Sequence, residues 1–404
     1  MIKHTGSFNS LYKRFKSNSG LPFSPSTLRS HTPAHFKRGR RETDLCEYCE
    51  NEAPLKRQMI QAETTKQALI ESKQDTKGID QAIHNLTESI DFIHHHKETA
   101  KEQRQFFHQQ RDNLKADECI ILFDFKENIT VGNGPRETNR DFYNKSQRSV
   151  LGFTIFYQST DKITTKTNQN KSITIKSIKH QFVHFISEVL AHDGLFVSDC
   201  LTKLHELSWI KKFKTVYYWS DCGPHFRSYE VLNHTIFEVP KLFNINTEHH
   251  FWGEKHGKSA CDSEFSVLSQ WLKELTTQKR IDSTRELLDS LRMHTADHEV
   301  NGGMTRTFIE YNRDRRPEQK QQAQFKSVQS YHCFSKSGPL SINCKVLSSH
   351  SNPVFESVSF KKTKDSRKSK HASDYVLPEP SKLVGPKTIS AWKKGQGVAD
   401  GKQT

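Results

Sequence analysis

The sequence predicts an α/β fold in which a mixed five-stranded sheet is flanked by helices. Two observations predict it. Runs of β-branched and aromatic residues occur three times in succession near the middle of the chain. Two further runs of this kind alternate with segments whose apolar residues recur at helical spacing. A three-strand meander followed by alternating helices and strands combines antiparallel and parallel pairs in one sheet.

The predicted elements follow one another in a definite order along the chain. Strands are expected at residues 119–125, 149–157, 172–178, 215–221 and 242–250. Helices are expected at residues 180–191, 197–209, 224–237, 260–275 and 283–293. This order is that of an RNase H-like sheet, so we expect an RNase H-like domain over residues 118–296.

Four segments flank this predicted domain. Residues 1–44 are rich in Ser, Pro, Lys and Arg and predict a basic, poorly ordered arm. Residues 45–117 carry apolar residues at loose helical spacing, which indicates two or three helices. Short alternating runs in residues 297–360 predict a small β-rich unit. Residues 361–404 form a basic, Pro-containing tail that we expect to be disordered.

The charge of the chain restricts its partners. The formal net charge is +15, from 61 Lys and Arg against 46 Asp and Glu. Such an excess favours a polyanion such as DNA, although solubility alone would also explain it. The basic residues at 361–370 suit phosphate contacts and equally nuclear import. With a polar start and no apolar run near the roughly 20 residues of a membrane span, we expect an intracellular, nuclear protein without a membrane partner.

Two of the eight cysteines, Cys46 and Cys49, have the spacing of a zinc knuckle. Two intervening residues let both sulfurs reach one tetrahedral ion, so we expect a structural Zn²⁺ here. The second ligand pair is open, with histidines in the same segment as candidates: His94, His95, His96 and His108. Two free thiols beside a solvated histidine run are the alternative.

Three acids are candidates for metal-dependent chemistry. Asp124 and Asp221 each close an apolar strand, and Asp262 lies near the start of a predicted helix. Cleavage of a phosphodiester by two metal ions needs converging carboxylates, and Mg²⁺ or Mn²⁺ prefers such oxygen ligands. Strand-end caps, and a helix acid interacting with the dipole, are the structural alternatives. Glu264, then Glu254, would replace Asp262 if it points away.

Three sequence blocks resemble those of transposon-encoded proteins related to cut-and-paste DDE transposases, a eukaryotic multicopy family with an RNase H-like core. The blocks are ILFDFKEN at 121–128, WSDCGPHF at 219–226 and HHFWGEKHGKSACD at 249–262. The resemblance implies Asp124, Asp221 and Asp262 as the metal-binding catalytic acids. It also implies that His256 and Lys258 lie beside the substrate phosphate. Relative to this pattern, we expect the chain to lack an upstream DNA-binding segment.

Two positions depart from the family pattern, Cys222 after the second acid and Ser259 in the third block. The segment 253–259 is not a nucleotide-binding P-loop, because three residues rather than four separate its glycines. We therefore expect a DNA transposase or transposase-derived protein that cleaves DNA and transfers the 3′ end, acting as a homo-oligomer on DNA ends. A domesticated, non-catalytic DNA-binding or interaction protein with the same fold is the alternative, and a structure-specific nuclease is a third.

Overall fold

The computed structural model describes most of residues 45–359 and short pieces before them. The main described ranges are 45–139, 145–164, 172–257, 259–300, 304–313, 328–339, 341–350 and 356–359. The chain divides into two compact units, residues 1–101 and residues 102–404. The arm expected at 1–44 lies mostly, and the tail expected at 361–404 wholly, outside the described residues.

In the smaller unit, two long helices follow two short strands. The strands β1 (Ile2–His4) and β2 (Phe36–Arg38) pair in parallel. The helices are α1 (Glu47–Glu71) and α2 (Lys77–Asp112), of which the residues from 102 onward belong to the larger unit. Ion pairs at both ends, Lys66 with Asp80 and Lys97 with Glu52, join the two helices as an antiparallel hairpin. Both helices are polar, and no helix among the described residues could span a membrane.

In the larger unit, the described residues form one mixed sheet of nine strands flanked by helices, which confirms the α/β class. The strands are β3 (Glu118–Val131), β4 (Ser146–Thr164), β5 (Ser172–Ser187), β6 (Thr215–Ser220), β7 (Asn246–Phe251), β8 (Arg306–Glu310), β9 (Cys333–Gly338), β10 (Ser341–Lys345) and β11 (Glu356–Ser359). Their order is β11-β10-β9-β7-β6-β3-β4-β5-β8. The strands β3, β4 and β5 form an antiparallel meander, and β6 and β7 continue from β3 in parallel.

Helices cover both faces of this sheet. They are α3 (Gly194–Glu206), α4 (Tyr229–Asn233), α5 (Val239–Phe243), α6 (Ala260–Gln278) and α7 (Thr284–Val300), with a π-helical turn between α4 and α5. The strand β3 is apolar throughout its first half because alternate side chains enter different cores. Ile121 and Phe123 pack with α3, whereas Ile120 and Leu122 pack on the opposite face with Phe107 of α2.

The predicted sheet of five strands has too few, because four further strands extend the sheet at its edges. The strand β8 pairs with β5 at one edge. At the other edge β9 pairs with β7, and β10 and β11 follow. The strands expected to form a separate β-rich unit at 297–360 thus join the main sheet. Pairing between such distant segments leaves no local pattern in the sequence. The sequence therefore predicted these strands as a separate unit and not as part of the main sheet.

The helix predicted at residues 180–191 is wrong, since most of this segment is the second half of β5. All of residues 182–187 are buried, and the segment pairs with β4 on one side and β8 on the other. A short, mostly apolar run such as this one does not distinguish a buried strand from a buried helix. The helix expected at 224–237 starts later, at Tyr229, and the strand expected at 242–250 spans Asn246–Phe251.

The boundary expected at residue 117 also moves. The larger unit begins at residue 102, within α2. Phe107, on that last part of α2, is 5% exposed and contacts the rings of Trp219 and Trp252 at 5.3 and 4.9 Å between centroids. The end of α2 therefore belongs to the core of the sheet rather than to the preceding hairpin.

Candidate active site

Two of the candidate acids lie on or just after neighbouring parallel strands: Asp221 directly follows β6, whereas Asp124, expected to close its strand, lies in the middle of β3, which runs on to Val131. In the pairing of β3 with β6, Leu122 is opposite Trp219. Asp124 and Asp221 each stand two residues farther along, beyond the last paired position. Asp221 follows the final residue of β6, and its Oδ1 accepts a hydrogen bond from the Gly223 N–H at 2.8 Å. This Asx-type turn holds the carboxylate at the sheet edge.

The third acid, Asp262, is in the first turn of α6, the helix that follows β7. Its Oδ2 accepts the backbone N–H of Ser259 at 2.7 Å, while the Ser259 side chain caps the helix in return. Asp262 therefore does act at the helix terminus, as the structural alternative expected. A capping bond occupies one carboxylate oxygen, so the other remains a potential metal ligand.

The Asp221 and Asp262 carboxylates act electrostatically on Asp124. Burial, together with these two neighbouring carboxylates, raises the pKa of Asp124 to about 8. A hydrogen bond from the Phe125 backbone opposes this shift. Close like charges favour proton uptake by one of the acids, here Asp124. A divalent cation would remove this repulsion, so the donor set fits a hard metal ion.

Glycines allow the parts of this site to approach closely. Gly152 is opposite Asp124 in the pairing of β3 with β4. A Cβ atom at Gly152 would lie 2.4 Å from the ring of Phe265, one turn beyond Asp262 on α6. A Cβ atom at Gly257 would lie 2.9 Å from the Cβ of Asp221. Both glycines therefore set how closely α6 and the preceding turn approach the acids.

We expect Gly152→Ala to weaken metal binding without touching a carboxylate. The added methyl group must displace the buried Phe265 ring and with it the start of α6, a kind of overpacking that costs about 1–3 kcal/mol. Thermal unfolding should shift down by several degrees, and Mn²⁺ affinity should fall about tenfold, equal to about 1.4 kcal/mol. Calorimetric titration measures the affinity.

A matched control for this variant is Gly78→Ala, since nothing lies within 4 Å of a Cβ atom at Gly78. That change should leave Mn²⁺ affinity unaltered. Adding Phe265→Leu to the Gly152→Ala protein makes room for the methyl group and should restore part of the affinity. Unaltered metal affinity in Gly152→Ala would contradict a positioning role for α6.

The alternative acids lie outside the group. Glu264 is buried on α6 and forms a bidentate ion pair with Arg306, with N–O distances of 2.6 and 2.8 Å. It also contacts the His184 Nε2 at 3.1 Å. This ion pair joins α6 to β5 and β8, so Glu264 already has a structural partner set. Glu254 is exposed in the turn after β7. Neither influences Asp124 in the way that Asp221 and Asp262 do.

The two candidate phosphate contacts are placed unequally. His256 is half-buried in the turn between β7 and α6, where its backbone N–H bonds the Gly253 carbonyl and its own carbonyl accepts from Arg104. Lys258 lies outside the described residues. The turn that carries both positions is the one that contacts Asp221 through Gly257.

His225 is a site residue that sequence reasoning missed. A Cβ atom at Gly223 would be 2.9 Å from its Nε2 and 3.0 Å from Oδ1 of Asp221. Burial lowers the pKa of His225, against the opposite influence of the Asp221 carboxylate. Its ring also meets that of Phe125 edge-on at 5.2 Å. The sequence does place His225 in the same short block as Asp221, WSDCGPHF at 219–226, and this proximity is the signal that indicates it.

The smaller unit contains a second group of ligand atoms. Cys46 directly precedes α1, Cys49 is one turn further, and His96 comes from α2. Their ligand atoms lie within 4.8 Å of one another, and the Cys46 Sγ is 3.2 Å from the His96 Nε2. Burial and the neighbouring Cys46 thiol raise the pKa of Cys49. This set of sulfur and imidazole donors suits Zn²⁺.

Of the four histidines considered, only His96 joins the cysteines within this unit. Consecutive helical residues point about 100° apart, so one of the three adjacent histidines faces inward. His94 contacts Glu52 at 3.3 Å instead, and His95 is exposed. His108 belongs to the larger unit.

We expect the Cys46→Ser/Cys49→Ser protein to lose about one equivalent of zinc and to have a less stable helical hairpin. His96→Ala should reproduce this loss, because it removes the third donor. His95→Ala is the matched control on the next helical position and should keep the metal. Elemental analysis after gentle purification measures the zinc, and equal contents in all four proteins would contradict the site.

The family described as Domain of unknown function (DUF8701) matches residues 103–348. This range runs from the end of α2 to just after β10 and contains Asp124, Asp221 and Asp262. Gln103 and Ser348, the first and last matched residues, are hydrogen-bonded to each other at 2.8 and 2.9 Å. No curated protein and no solved structure matches the chain.

Proposed function

The chain belongs to the DUF8701 family, and we propose that it is a DNA transposase, or a protein derived from one, with an RNase H-like catalytic core. It cleaves DNA phosphodiester bonds and transfers the 3′ end to target DNA. Asp124, Asp221 and Asp262 hold the Mg²⁺ or Mn²⁺ ions that this chemistry needs.

The topology of the central strands supports an RNase H-like core. The order β5-β4-β3-β6-β7 comprises the meander and the two parallel strands that such a sheet requires. One acid lies on the first strand, one at the end of the fourth, and one on the helix after the fifth. The transposase resemblance implies the same three acids as the metal-binding ones.

The observation that carries the proposal is the environment of Asp124. Asp221 closes a turn and Asp262 caps a helix, so the fold itself benefits from both carboxylates. Asp124 instead is half-buried beside two like charges, and its partial burial and these charges raise its pKa. An acid whose ionisation the fold opposes is more often functional than structural.

The residues of the site would share the work as follows. Divalent ions, when bound, would supply Lewis acidity at the scissile phosphate and activate the attacking hydroxyl or water. Asp124, Asp221 and Asp262 would hold those ions. His256 and Lys258 are proposed to contact the phosphate, and no side chain is required as a covalent nucleophile. His225 stands beside Asp221, where it can orient the carboxylate or the DNA backbone.

The proposal extends to partner and location. The net charge of +15 provides the electrostatic, sequence-independent part of DNA affinity. A basic stretch such as residues 361–370 can serve DNA contact and nuclear import together. A homo-oligomer would hold two DNA ends at once.

The direct test uses supercoiled plasmid DNA and linear DNA ending in the sequences that flank the gene. Mg²⁺ or Mn²⁺ should support nicking of the plasmid and strand transfer of the linear ends. Ca²⁺ should allow binding but little cutting, because its looser coordination positions the reacting oxygens poorly. Absence of cutting with every divalent ion, by protein that binds DNA, would overturn the catalytic proposal.

A domesticated DNA-binding protein is the second candidate, and one observation favours it. Two of the three acids have structural hydrogen bonds, so a fold without catalysis would still use them. Such a protein would bind DNA with an affinity that falls by orders of magnitude between low and physiological salt. It would not bind Mn²⁺ at the acids.

A further inference from the structure

A third group of ligand-type side chains lies on the sheet, on strands β7 and β9. Glu248 and His250 are two residues apart and therefore lie on the same face of β7. Cys333 of β9 is paired with His250. One ligand atom from each lies within 4.8 Å of the others. The Glu248 Oε2 is 3.3 Å from the His250 Nε2. The three donors therefore converge on a single point that the acid site does not include.

Hydrogen bonds determine which ring nitrogen of His250 faces this point. Nδ1 is 2.9 Å from the Ser348 hydroxyl. That oxygen accepts a hydrogen bond from the Gln103 amide at 2.9 Å, and it can donate its own hydrogen to the His332 carbonyl at 3.4 Å. In this arrangement Nδ1 carries hydrogen, so Nε2 is the nitrogen that faces the Glu248 carboxylate. A metal ion binding there would release any proton on Nε2 to solvent and take its lone pair.

Neighbouring side chains hold the His250 ring in place. The Trp219 indole N–H donates to the Gln110 Oε1 at 2.8 Å, which orients the amide. The amide nitrogen of Gln110 then lies 3.5 Å from the His250 Nε2. The Trp219 ring stacks on the imidazole at 4.8 Å and 14°, which limits its rotation. A histidine oriented through its other nitrogen is characteristic of metal ligands.

The group is buried but has a route to solvent. His250 and Cys333 are 0% and 1% exposed, whereas the Glu248 side chain is 38% exposed. Glu248 lines a surface cavity of about 520 Å³ together with Tyr217 and Lys336. A metal ion could therefore reach the two buried donors past Glu248.

We propose that Glu248, His250 and Cys333 bind a divalent transition-metal ion of the Zn²⁺ class. Thiolate, imidazole and carboxylate are the donors that Zn²⁺ takes, whereas Mg²⁺ and Ca²⁺ avoid sulfur and nitrogen. Binding releases the Cys333 thiol proton to solvent as the metal–sulfur bond forms. The ion would tie β9 to β7, where the edge strands join the central sheet. This metal-site proposal is independent of the catalytic proposal. The alternative is a Glu248–His250 ion pair without a metal ion.

The experiment starts from full-length protein carrying Cys46→Ser and Cys49→Ser, so that zinc in the smaller unit does not contribute. This protein should retain roughly one equivalent of Zn²⁺. Loaded with Co²⁺, it should show the absorption band of a cobalt–thiolate bond. Cys333→Ser in the same background should remove both signals, whereas Cys344→Ser, a buried cysteine on the adjacent β10, should leave them unchanged.

A second variant covers the case in which Cys333→Ser fails to fold. Glu248→Gln removes one ligand charge at a partly exposed position, so we expect it to fold and its Zn²⁺ affinity to fall at least tenfold. The proposal is overturned if the starting protein holds no metal and shows no cobalt–thiolate band. It is also overturned if Glu248→Gln binds Zn²⁺ as tightly as its parent, or if a folded Cys333→Ser protein keeps the metal.

Discussion

Asp221→Asn is expected to abolish divalent-ion-dependent DNA cleavage while leaving DNA binding nearly unchanged. The amide oxygen of Asn can still accept the Gly223 N–H, so the turn after β6 is preserved. What is lost is the negative charge that holds the metal. Loss of several kcal/mol of electrostatic stabilisation reduces the rate by about a thousandfold or more.

This experiment compares single-turnover nicking and equilibrium binding for three proteins. The matched control is Asp289→Asn, an exposed acid on α7 whose contact is a surface pair with Arg292. It should cut like the wild type. If wild type and Asp221→Asn cut equally well, the acids are not the metal site. If neither cuts and both bind DNA, the domesticated binder replaces the enzyme.

Metal binding should be strongly pH-dependent, with Asp124 as the cause. Its pKa of about 8, raised by burial and the two adjacent carboxylates, means that the metal-free site holds a proton at neutral pH. A cation must displace that proton. The apparent Mn²⁺ affinity should therefore increase about tenfold per pH unit between pH 6 and 8, about a hundredfold in all, and level off above.

Asp124→Asn isolates this contribution. The variant has no proton to release, so its residual Mn²⁺ affinity should be weak and almost flat over the same range. Titration calorimetry in buffers of different ionisation enthalpy counts the released protons directly. Release of about one proton per site at pH 6.5 from the wild type, and none from Asp124→Asn, is the expected result. Equal proton release from both proteins would contradict the assignment.

The same shift predicts the pH dependence of folding stability for the metal-free protein. The folded state binds a proton at Asp124 that the unfolded chain has already lost between about pH 4 and 8. This contribution to stability is complete at low pH and disappears as the pH rises through about 8. The difference in unfolding free energy between wild type and Asp124→Asn should therefore shift in favour of Asn with rising pH.

At pH 8, Mn²⁺ at a hundred times its Kd should stabilise the wild type by about 2.7 kcal/mol.

Local sequence patterns were enough to locate most of the central strands and the end of β6 at Asp221, although β3 continues past Asp124 to Val131. The apolar runs before Asp124 and Asp221 are buried on both faces, and that requirement is visible as an unbroken series of large apolar residues. The Cys-x-x-Cys spacing likewise identified Cys46 and Cys49 as a pair, because both lie within one helical turn. These features depend on neighbours within a few residues.

Other features depend on contacts between distant segments, and only the folded chain shows them. The run at 182–187 is a strand because β4 and β8 pair with it, and the run itself is equally compatible with a helix. Among three adjacent histidines, the direction in which α2 faces α1 selects His96. The cluster of Glu248, His250 and Cys333 exists because β9 pairs with β7 from more than eighty residues away in the chain. Sequence periodicity records which face of an element is buried, but not the partner against which it is buried.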